Sequence, residues 1–379
     1  MYLCNMNASP FSRPLYVMLK PAGSRCNLRC SYCYYLPKHE LYPDGHQELS
    51  EDLLDTFIRQ YLSAQTQEEV LFTWHGGEPL LRGIAFYRRA LELQRRYGMG
   101  RVIDNCLQTN GTLLTPEWCE FFRDNNFLIG ISIDGPSSFH DQLRSGSFSR
   151  VMKGIGMLNE YGVQWNAMAV VNSLNVREPL AFYRFFRDMG CQYLQFEPIV
   201  ERKDSGGRLL APHEKGGTMT EESVSAEDYG RFLCAIFDEW HAHDIGKMFV
   251  QHFEATLANM YGVPPGICSL APTCGQAAAM EYNGDLYSCD HFVFPDYRLG
   301  NIRQETITEM MYGERQRQFG NSKYTTLPQR CKACQWLKLC YGECPKNRFT
   351  DDGVNYLCRA YSMFFEHAMP RLLEIPVNR

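Results

Sequence analysis

Apolar, β-branched runs alternate with helical patterns along the first half of the chain. Six runs have the length and residue types of buried strands: PLYVMLK (14–20), EVLFTWH (69–75), VIDNCLQT (102–109), FLIGISID (127–134), VQWNAMAVV (163–171) and QYLQFEPIV (192–200). Helical patterns lie between them, at 50–65, 84–98, 115–126, 148–162 and 177–190. Thr115 followed by Pro116 is typical of a helix N-cap and its first residue. This alternation predicts a parallel sheet that curls into a closed or partial (β/α) barrel, with its chemistry at the C-terminal ends of the strands.

Polar or glycine-rich segments directly follow the first four predicted strands. They are CNLRCSYC (26–33), HGGEP (75–79), QTNG (108–111) and SIDGP (132–136). Because parallel strands end on the same side of a sheet, we expect these four segments to share one face of the barrel. The sequence therefore predicts a site there.

The second half of the chain has a different composition. Residues 201–227 are polar and rich in glycine, which predicts a linker or excursion, and two helical patterns follow at 226–244 and 249–262. The remainder is rich in cysteine, and Asn283-Gly284 is typical of a hairpin turn. We therefore predict these divisions: an N-terminal tail (1–13), a barrel (14–225), connecting helices (226–262) and a cysteine-rich domain with a C-terminal helix (263–379).

Composition and charge narrow the class of protein. Apolar residues make up 45% and charged residues 21% of the 379 residues, which is enough for a large core. A net charge of -5 argues against a general nucleic-acid binder. The sequence shows neither the run of about eighteen apolar residues typical of a membrane span nor the pattern of a signal peptide. We therefore expect a cytoplasmic protein with no membrane or nucleic-acid partner.

Sixteen cysteines in such a protein indicate metal or redox chemistry more than disulfides. Five of them are scattered and are typical of small buried apolar residues. The other eleven form three groups: Cys26, Cys30 and Cys33; Cys268, Cys274 and Cys289; and Cys331, Cys334, Cys340, Cys344 and Cys358. Because eleven is odd, these cysteines cannot all pair in disulfides with one another. Eleven cysteines can, however, be divided into one set of three and two sets of four.

The first group has one thiolate fewer than a structural zinc site requires. Thiolates select zinc, copper(I) and iron–sulfur clusters, and structural zinc takes four ligands. Three cysteines on a [4Fe-4S] cluster leave one iron open to bind a substrate or cofactor. The alternatives are three unrelated cysteines, or a zinc site completed by His39.

The segment CNLRCSYC, with an aromatic residue before its third cysteine, resembles the signature of the radical S-adenosylmethionine (SAM) enzymes. The resemblance implies a partial (β/α)6 barrel and a SAM-binding [4Fe-4S] cluster on Cys26, Cys30 and Cys33. GGEP resembles the second motif of that family, whose backbone binds the amino group of SAM, and glycine permits such a close approach. Carried over by motif, the SAM contacts would be Tyr32, Gly77, Ser132, Arg144 and Val200. Arg144 would face the SAM carboxylate, because a guanidinium matches a planar carboxylate.

The cysteine spacing from Cys268 to Cys358 resembles the SPASM domain, which carries two auxiliary [4Fe-4S] clusters. The resemblance implies that Cys268, Cys274, Cys289 and Cys344 hold the first cluster. Cys331, Cys334, Cys340 and Cys358 would hold the second. Full cysteine ligation suits electron transfer rather than substrate binding. A zinc ribbon at CKACQWLKLC is the alternative.

Nearly end to end, the chain resembles the anaerobic sulfatase-maturating enzymes, in segments such as LYVMLKPAGSRCNLRCSYCYY, LFTWHGGEP, GDLYSCDHFVFPDYRLGNI and GECPKNRF. The resemblance implies oxidation of a Cys or Ser to Cα-formylglycine, by a 5′-deoxyadenosyl radical that takes a hydrogen from Cβ, with electron transfer to the auxiliary clusters. The partners would be an unfolded or nascent sulfatase bearing Cys/Ser-x-Pro-x-Arg and an electron donor such as flavodoxin or ferredoxin. The alternatives are another SPASM peptide-modifying enzyme, for example one that forms thioether links, and a non-catalytic iron–sulfur electron carrier.

Asp290 occupies the position of the proton acceptor in this resemblance. A carboxylate with a pKa near 3.9 facing a thiol with a pKa near 8.5 is mismatched by roughly 6 kcal/mol. The role therefore requires that the adjacent carbon radical acidify the thiol, or that burial raise the pKa of Asp290. The alternative is that Asp290 only orients a hydrogen bond near the cluster.

Overall fold

A computed structural model describes residues 14–39, 41–42 and 47–375, so the predicted tail at 1–13 lies outside the described residues. All six predicted strands are present: β1 (Tyr16–Leu19), β2 (Glu69–Trp74), β3 (Val102–Thr109), β4 (Phe127–Ser132), β5 (Trp165–Val171) and β6 (Tyr193–Pro198). The helices between them are α1 (Glu51–Ala64), α2 (Gly83–Tyr97), α3 (Pro116–Asp124), α4 (Ser137–Leu143), α5 (Phe148–Glu160) and α6 (Pro179–Asp188). Only α4 has no counterpart among the predicted helices.

The strands β1 to β6 pair in sequence order, and all their pairings are parallel. The helices bury one apolar face each. In α1, for example, Leu54, Phe57, Ile58 and Tyr61 recur at helical spacing and are at most 1% exposed. The predicted N-cap of α3 is confirmed, because the Thr115 side chain accepts a hydrogen bond from the Trp118 amide. The alternation of strands and helices thus forms the parallel sheet of the predicted barrel.

The rest of the chain consists of shorter elements. They are β7 (Arg202–Lys203), β8 (Thr218–Met219), α7 (Ala226–His243), β9 (Phe249–Val250), α8 (Gln251–Met260), β10 (Ala277–Met280), β11 (Asp285–Tyr287), β12 (Arg298–Asn301), α9 (Ile307–Tyr312), α10 (Glu314–Thr325), α11 (Gln329–Lys332), α12 (Leu337–Cys340) and α13 (Cys358–Leu372). The predicted hairpin is confirmed, since β10 and β11 are antiparallel and Gly284 in their turn has a φ of +90°. The predicted linker contains a small hairpin, β7–β8.

The cysteine-rich part continues the sheet of the barrel. Strand β10 pairs in parallel with β1, in the register Leu19↔Met280, and the sheet runs in the order β12-β11-β10-β1-β2-β3-β4-β5-β6-β9. Because β12 and β9 lie at its two ends, the barrel is partial. The predicted domain limits stay a prediction, and the strands on both sides of residue 262 form one sheet.

Within the part of the chain that the structure describes, no helix combines the length and the apolar character needed to cross a bilayer.

Candidate functional site

The loop after β1 carries the first three grouped cysteines. The Cys26 sulfur accepts hydrogen bonds from the Leu28 amide at 3.3 Å and from the Asn110 side chain at 3.6 Å. Burial raises the pKa of all three thiols, and in each case a neighbouring thiol raises it further. The structure therefore brings Cys26, Cys30 and Cys33 together at the C-terminal edge of the barrel sheet.

The HGGEP segment packs directly on this loop, backbone against backbone. The Gly77 amide donates to the Gly23 carbonyl and the Glu78 amide donates to the Arg25 carbonyl, both at 2.8 Å. A Cβ atom at position 77 would lie 2.1 Å from the Arg25 carbonyl oxygen. Glycine is therefore required at position 77 by the packing of these two loops, whatever else it contacts.

Glu78 joins a third loop to the same assembly. Its fully buried carboxylate accepts hydrogen bonds from the amides of Leu80 (3.0 Å) and Asn110 (2.9 Å) and from the Thr109 hydroxyl (2.8 Å). Burial raises the pKa of Glu78 to about 7, although these donors favour the charged form. The sequence analysis gave Glu78 no role beyond its place in the GGEP motif. The only sequence feature that could have indicated this role is an acidic residue between Gly77 and a proline.

Asp134 organises two of the predicted SAM contacts. Its Oδ2 atom accepts from the Tyr32 hydroxyl at 2.5 Å and from Arg144 Nε at 2.8 Å, and its Oδ1 atom accepts from the Val170 amide at 2.9 Å. Asp134 is completely buried and Arg144 is 8% exposed. Arg144 therefore already has an anionic partner that the sequence did not indicate.

The last two predicted SAM contacts differ in their surroundings. Ser132, at the end of β4, is partly exposed, and its hydroxyl accepts a hydrogen bond from Gln108 at 2.9 Å. Val200 follows β6 and is 3% exposed, so it packs within the core at the edge of the site. Both lie at the C-terminal ends of their strands, as predicted.

Asp290 lies in a group of buried charges. Its Oδ1 atom forms an ion pair with Lys20, and its Oδ2 atom accepts from the Tyr34 hydroxyl at 2.7 Å. The Lys38 ammonium donates to the Asp290 backbone carbonyl at 2.8 Å and lies 3.9 Å from Oδ1. The Asp290 side chain keeps 18% of its surface exposed, whereas Lys20 is fully buried and Lys38 is 2% exposed.

These contacts decide between the two routes by which Asp290 could act as a base. Burial alone would raise its pKa, but the ammonium groups of Lys20 and Lys38 outweigh burial and hold the pKa of Asp290 well below its usual range. Of the two conditions that the sequence left open for Asp290, a net rise of its pKa through burial is therefore not met. The remaining route is acidification of the target group by the adjacent radical.

Neutral nitrogen bases border the same group. Burial lowers the pKa of His75 to about 4 and that of His291 to about 3, so both rings are neutral at pH 7. Burial, helped by the neighbouring Lys20, lowers the pKa of Lys38 to about 7. Near neutral pH this region can therefore hold or release a proton next to Asp290.

The C-terminal cysteines assemble in two sets of four. Burial is the largest cause that raises the pKa of Cys268, Cys289 and Cys344, and other thiols of the same set raise it further. Burial and thiols of the same set likewise raise the pKa of Cys331, Cys340 and Cys358. The Glu343 carboxylate adds to the rise at Cys340 and Cys344. The sets are Cys268, Cys274, Cys289 and Cys344, and Cys331, Cys334, Cys340 and Cys358. The structure thus brings together the sets that the resemblance implies, while ligation by them stays a prediction.

The donor chemistry of these sets fits iron–sulfur clusters. In the described part of the chain, no three His, Cys, Asp or Glu side chains converge closely enough to hold a single metal ion. Thiolates around a four-iron cluster stay further apart, because each binds a different iron. The buried Lys323 ammonium donates to the carbonyls of Cys268 and Ser269 at 2.6 Å each, which would place a positive charge beside an anionic cluster bound there. The side chain of His39 lies outside the described residues.

Comparison with known proteins agrees with this geometry. The sequence profile of the radical SAM superfamily matches residues 21–186, and that of the SPASM iron–sulfur cluster-binding domain matches residues 272–335. The chain is 55% identical to a serine-type anaerobic sulfatase-maturating enzyme of Bacteroides thetaiotaomicron, over 96% of this chain and 91% of that protein. It is 31% identical to a cysteine-type anaerobic sulfatase-maturating enzyme of Clostridium perfringens, over 96% of this chain and 99% of that protein.

A solved structure shows the same architecture. The structure of native anSMEcpe with bound SAM and a peptide called Cp18Cys matches with a TM-score of 0.84 and 31% sequence identity. The match covers 96% of this chain and 98% of that one.

Proposed function

Since the chain belongs to the anaerobic sulfatase-maturating enzymes, a radical SAM family with a SPASM domain, we propose that it oxidises a serine of a partner sulfatase to Cα-formylglycine. The enzyme is a radical SAM oxidoreductase that uses SAM and [4Fe-4S] clusters to convert a Cys or Ser of a sulfatase active-site motif into the aldehyde. One observation carries the choice of serine: identity is 55% to the serine-type relative and 31% to the cysteine-type relative.

We propose that Cys26, Cys30 and Cys33 hold the cluster that binds SAM. When bound at this cluster, SAM would supply the 5′-deoxyadenosyl radical chemistry that removes a hydrogen atom from Cβ of the target. The close backbone packing at Gly77 keeps the GGEP loop beside this cluster site, where its backbone would meet the amino group of SAM. Glu78 holds that loop in place through its three buried hydrogen bonds.

The remaining SAM contacts follow from the Asp134 network. Asp134 fixes Tyr32 and Arg144 relative to each other, and it uses Nε of the guanidinium. The terminal amino groups of Arg144 are the groups that we expect to reach the SAM carboxylate. Ser132 and Val200, at the ends of two further strands, would complete the contacts.

Oxidation of the target serine removes a hydrogen atom, a proton and an electron. We propose that the Asp290 carboxylate accepts the proton, since it is ionised, partly exposed and held by Lys20 and Tyr34. Its low proton affinity means that the proton leaves only after hydrogen abstraction, when the adjacent radical has made the hydroxyl more acidic. The two C-terminal sets of four cysteines would hold the auxiliary clusters, and full thiolate ligation suits them for electron transfer.

The partners follow from this chemistry. The substrate would be an unfolded or nascent sulfatase with the motif Cys/Ser-x-Pro-x-Arg, and the electron donor a flavodoxin or ferredoxin. No cysteine in the described part of the chain forms a disulfide. This is the state expected of an enzyme that acts in a reducing cytoplasm.

The test uses the reconstituted protein under anaerobic conditions with SAM, dithionite and two peptides that differ only in Ser or Cys at the target position. Mass spectrometry follows the aldehyde, and chromatography follows 5′-deoxyadenosine. We expect turnover of the Ser peptide, with deoxyadenosine released in proportion. Turnover of the Cys peptide alone would contradict the choice of serine. Asp290→Asn should abolish aldehyde formation while the clusters remain, and full retained activity would exclude Asp290 as the proton acceptor.

A further inference from the structure

Four ionisable side chains surround the end of β1. The Lys20 ammonium forms ion pairs with Glu281 Oε1 at 3.2 Å and with Asp290 Oδ1, and Lys38 lies beside Asp290. Lys20 and Glu281 are 0% and 1% exposed. Burying a charged pair costs several kcal/mol per ion before the partners offset it, and apolar residues of similar size are often no less stable. Fold stability alone is therefore a weak reason for Lys20 and Glu281 to be charged.

The sheet register places this pair. Strands β1 and β10 end in register at Leu19 and Met280, so the next residues on the two strands, Lys20 and Glu281, lie side by side. The Lys20 amide also donates to the Met280 carbonyl at 3.0 Å. The Lys20 side chain then spans from Glu281 to Asp290, which follows the cysteine-bearing turn after β11. A single ammonium thus joins the first strand of the barrel to two points of the cysteine-rich part.

The contacts around Asp290 fix both its position and its rotation. Tyr34 donates to Oδ2, Lys38 donates to the backbone carbonyl, and Lys20 holds Oδ1. Among the contacts of the described residues, Lys20 is the one of these three partners that a second buried carboxylate, Glu281, also holds. The pairing of β1 with β10 therefore fixes Lys20, and Lys20 in turn fixes the angle of the Asp290 carboxylate.

We propose that Lys20, anchored by Glu281, is a positioning residue that sets the rotation of the Asp290 carboxylate toward the target residue. The inference rests on the proposed function, in which Asp290 accepts the proton. Lys20 touches neither the target nor SAM in this role, and acts through Asp290.

A simpler role for Lys20 would be to neutralise two buried carboxylates. The two roles differ when charge is removed in pairs. Lys20→Met alone leaves two carboxylates against Lys38. The double variant Lys20→Met/Glu281→Gln removes one cationic and one anionic side chain and leaves Lys38 beside Asp290. If Lys20 only neutralises the carboxylates, the double variant should be as active as wild type. If Lys20 positions Asp290, the double variant should lose activity.

The experiment compares the reconstituted wild type, the double variant and Glu281→Gln under anaerobic conditions with SAM, dithionite and the Ser peptide. The measurements are thermal unfolding, the visible spectrum of the clusters, the kcat and KM for the aldehyde, and the ratio of 5′-deoxyadenosine to aldehyde. We expect the double variant to keep its unfolding temperature, cluster spectrum and KM close to wild type. Its kcat should fall roughly 100-fold, as for a misplaced catalytic group, and the ratio should rise because abstraction outruns proton removal.

Two outcomes would overturn the inference. A double variant with wild-type kcat and ratio would reduce Lys20 to a neutralising role. If the double variant unfolds early, Glu281→Gln carries the test, because it keeps Lys20 but removes its anchor, and an unchanged kcat and ratio there would equally refute positioning. Asp290→Asn, measured in parallel, separates the two levels: if that variant is fully active the proposed proton acceptor fails, and if it is inactive beside an active double variant only the role of Lys20 fails.

Discussion

A methyl group at position 77 tests the contact between the GGEP loop and the cysteine loop. In Gly77→Ala, the new Cβ would lie 2.1 Å from the Arg25 carbonyl oxygen and 2.6 Å from its carbon, whereas Cβ atoms in proteins essentially never approach closer than 3.0 Å. Both contacts are backbone atoms, so no side chain can turn away. The two loops must therefore separate by about 1 Å at this point.

The separation has an energetic cost that follows from the hydrogen bonds it breaks. Two backbone hydrogen bonds cross the contact, from Gly77 and Glu78 to the Gly23 and Arg25 carbonyls, each 2.8 Å long. Each is worth about 1 kcal/mol if water replaces it and up to about 3 kcal/mol if the groups stay buried without a partner. We expect the free energy of unfolding to fall by roughly 2–6 kcal/mol. Because Cys26 follows Arg25 directly, reconstituted iron should fall as well.

Urea unfolding and iron per chain check this expectation. Gly156→Ala is the matched control, because its Cβ would meet open space within helix α5, where replacing glycine by alanine stabilises by up to about 1 kcal/mol. A Gly77→Ala variant that unfolds within about 0.5 kcal/mol of wild type and retains its full iron would refute the packing argument.

Three further predictions concern the clusters, the pH dependence and SAM. Cys358→Ser should lower the reconstituted iron by about one cluster, seen by iron assay, whereas Cys234→Ser, at a cysteine outside the three groups, should not. Burial lowers the pKa of His140 to about 4, so the unfolded chain binds more protons between about pH 6.5 and 4, and stability is full above that window and is lost as the pH falls through it. Replacing His140 with Asn should flatten the fall in unfolding temperature across this window by the equivalent of roughly 3 kcal/mol, and an unchanged slope would contradict the assignment. Arg144→Lys should weaken SAM binding about tenfold in equilibrium dialysis, because an ammonium lacks the planar fork, and unchanged binding would place Arg144 outside the SAM site.

The sequence predicted what depends on local pattern. Six strands lie where apolar β-branched runs were found, and the turn at Gly284 forms because an Asn-Gly pair suits it. The loops after β1, β2, β3 and β4 meet on one face because parallel strands must end together. The predicted assignment of the eight C-terminal grouped cysteines to two sets of four came from family resemblance, since spacing alone groups them as three and five.

What the sequence did not indicate depends on contacts far apart in the chain. In the sequence, Lys20 is only a polar residue at the end of a predicted strand. In the structure, β10 places Glu281 beside it. In the sequence, Asp134 is typical of a turn. In the structure, it accepts hydrogen bonds from Tyr32 and Arg144. The sign of the Asp290 pKa shift depends on two lysines that lie more than 200 residues earlier in the chain, so burial could not be weighed against them beforehand.

The pairing of β1 with β10 has a consequence for biosynthesis. Strand β10 leaves the ribosome about 260 residues after β1, and at 5–20 residues per second this takes roughly 13 to 50 seconds. During that time one edge of β1 has no neighbour, and Lys20 lacks both of its carboxylate partners. The strands β1 to β6 can pair as they are translated, but the second neighbour of β1 arrives only with the cysteine-rich segment. Completion of the sheet on both sides of β1 and burial of Lys20 therefore happen together, late in the synthesis of the chain.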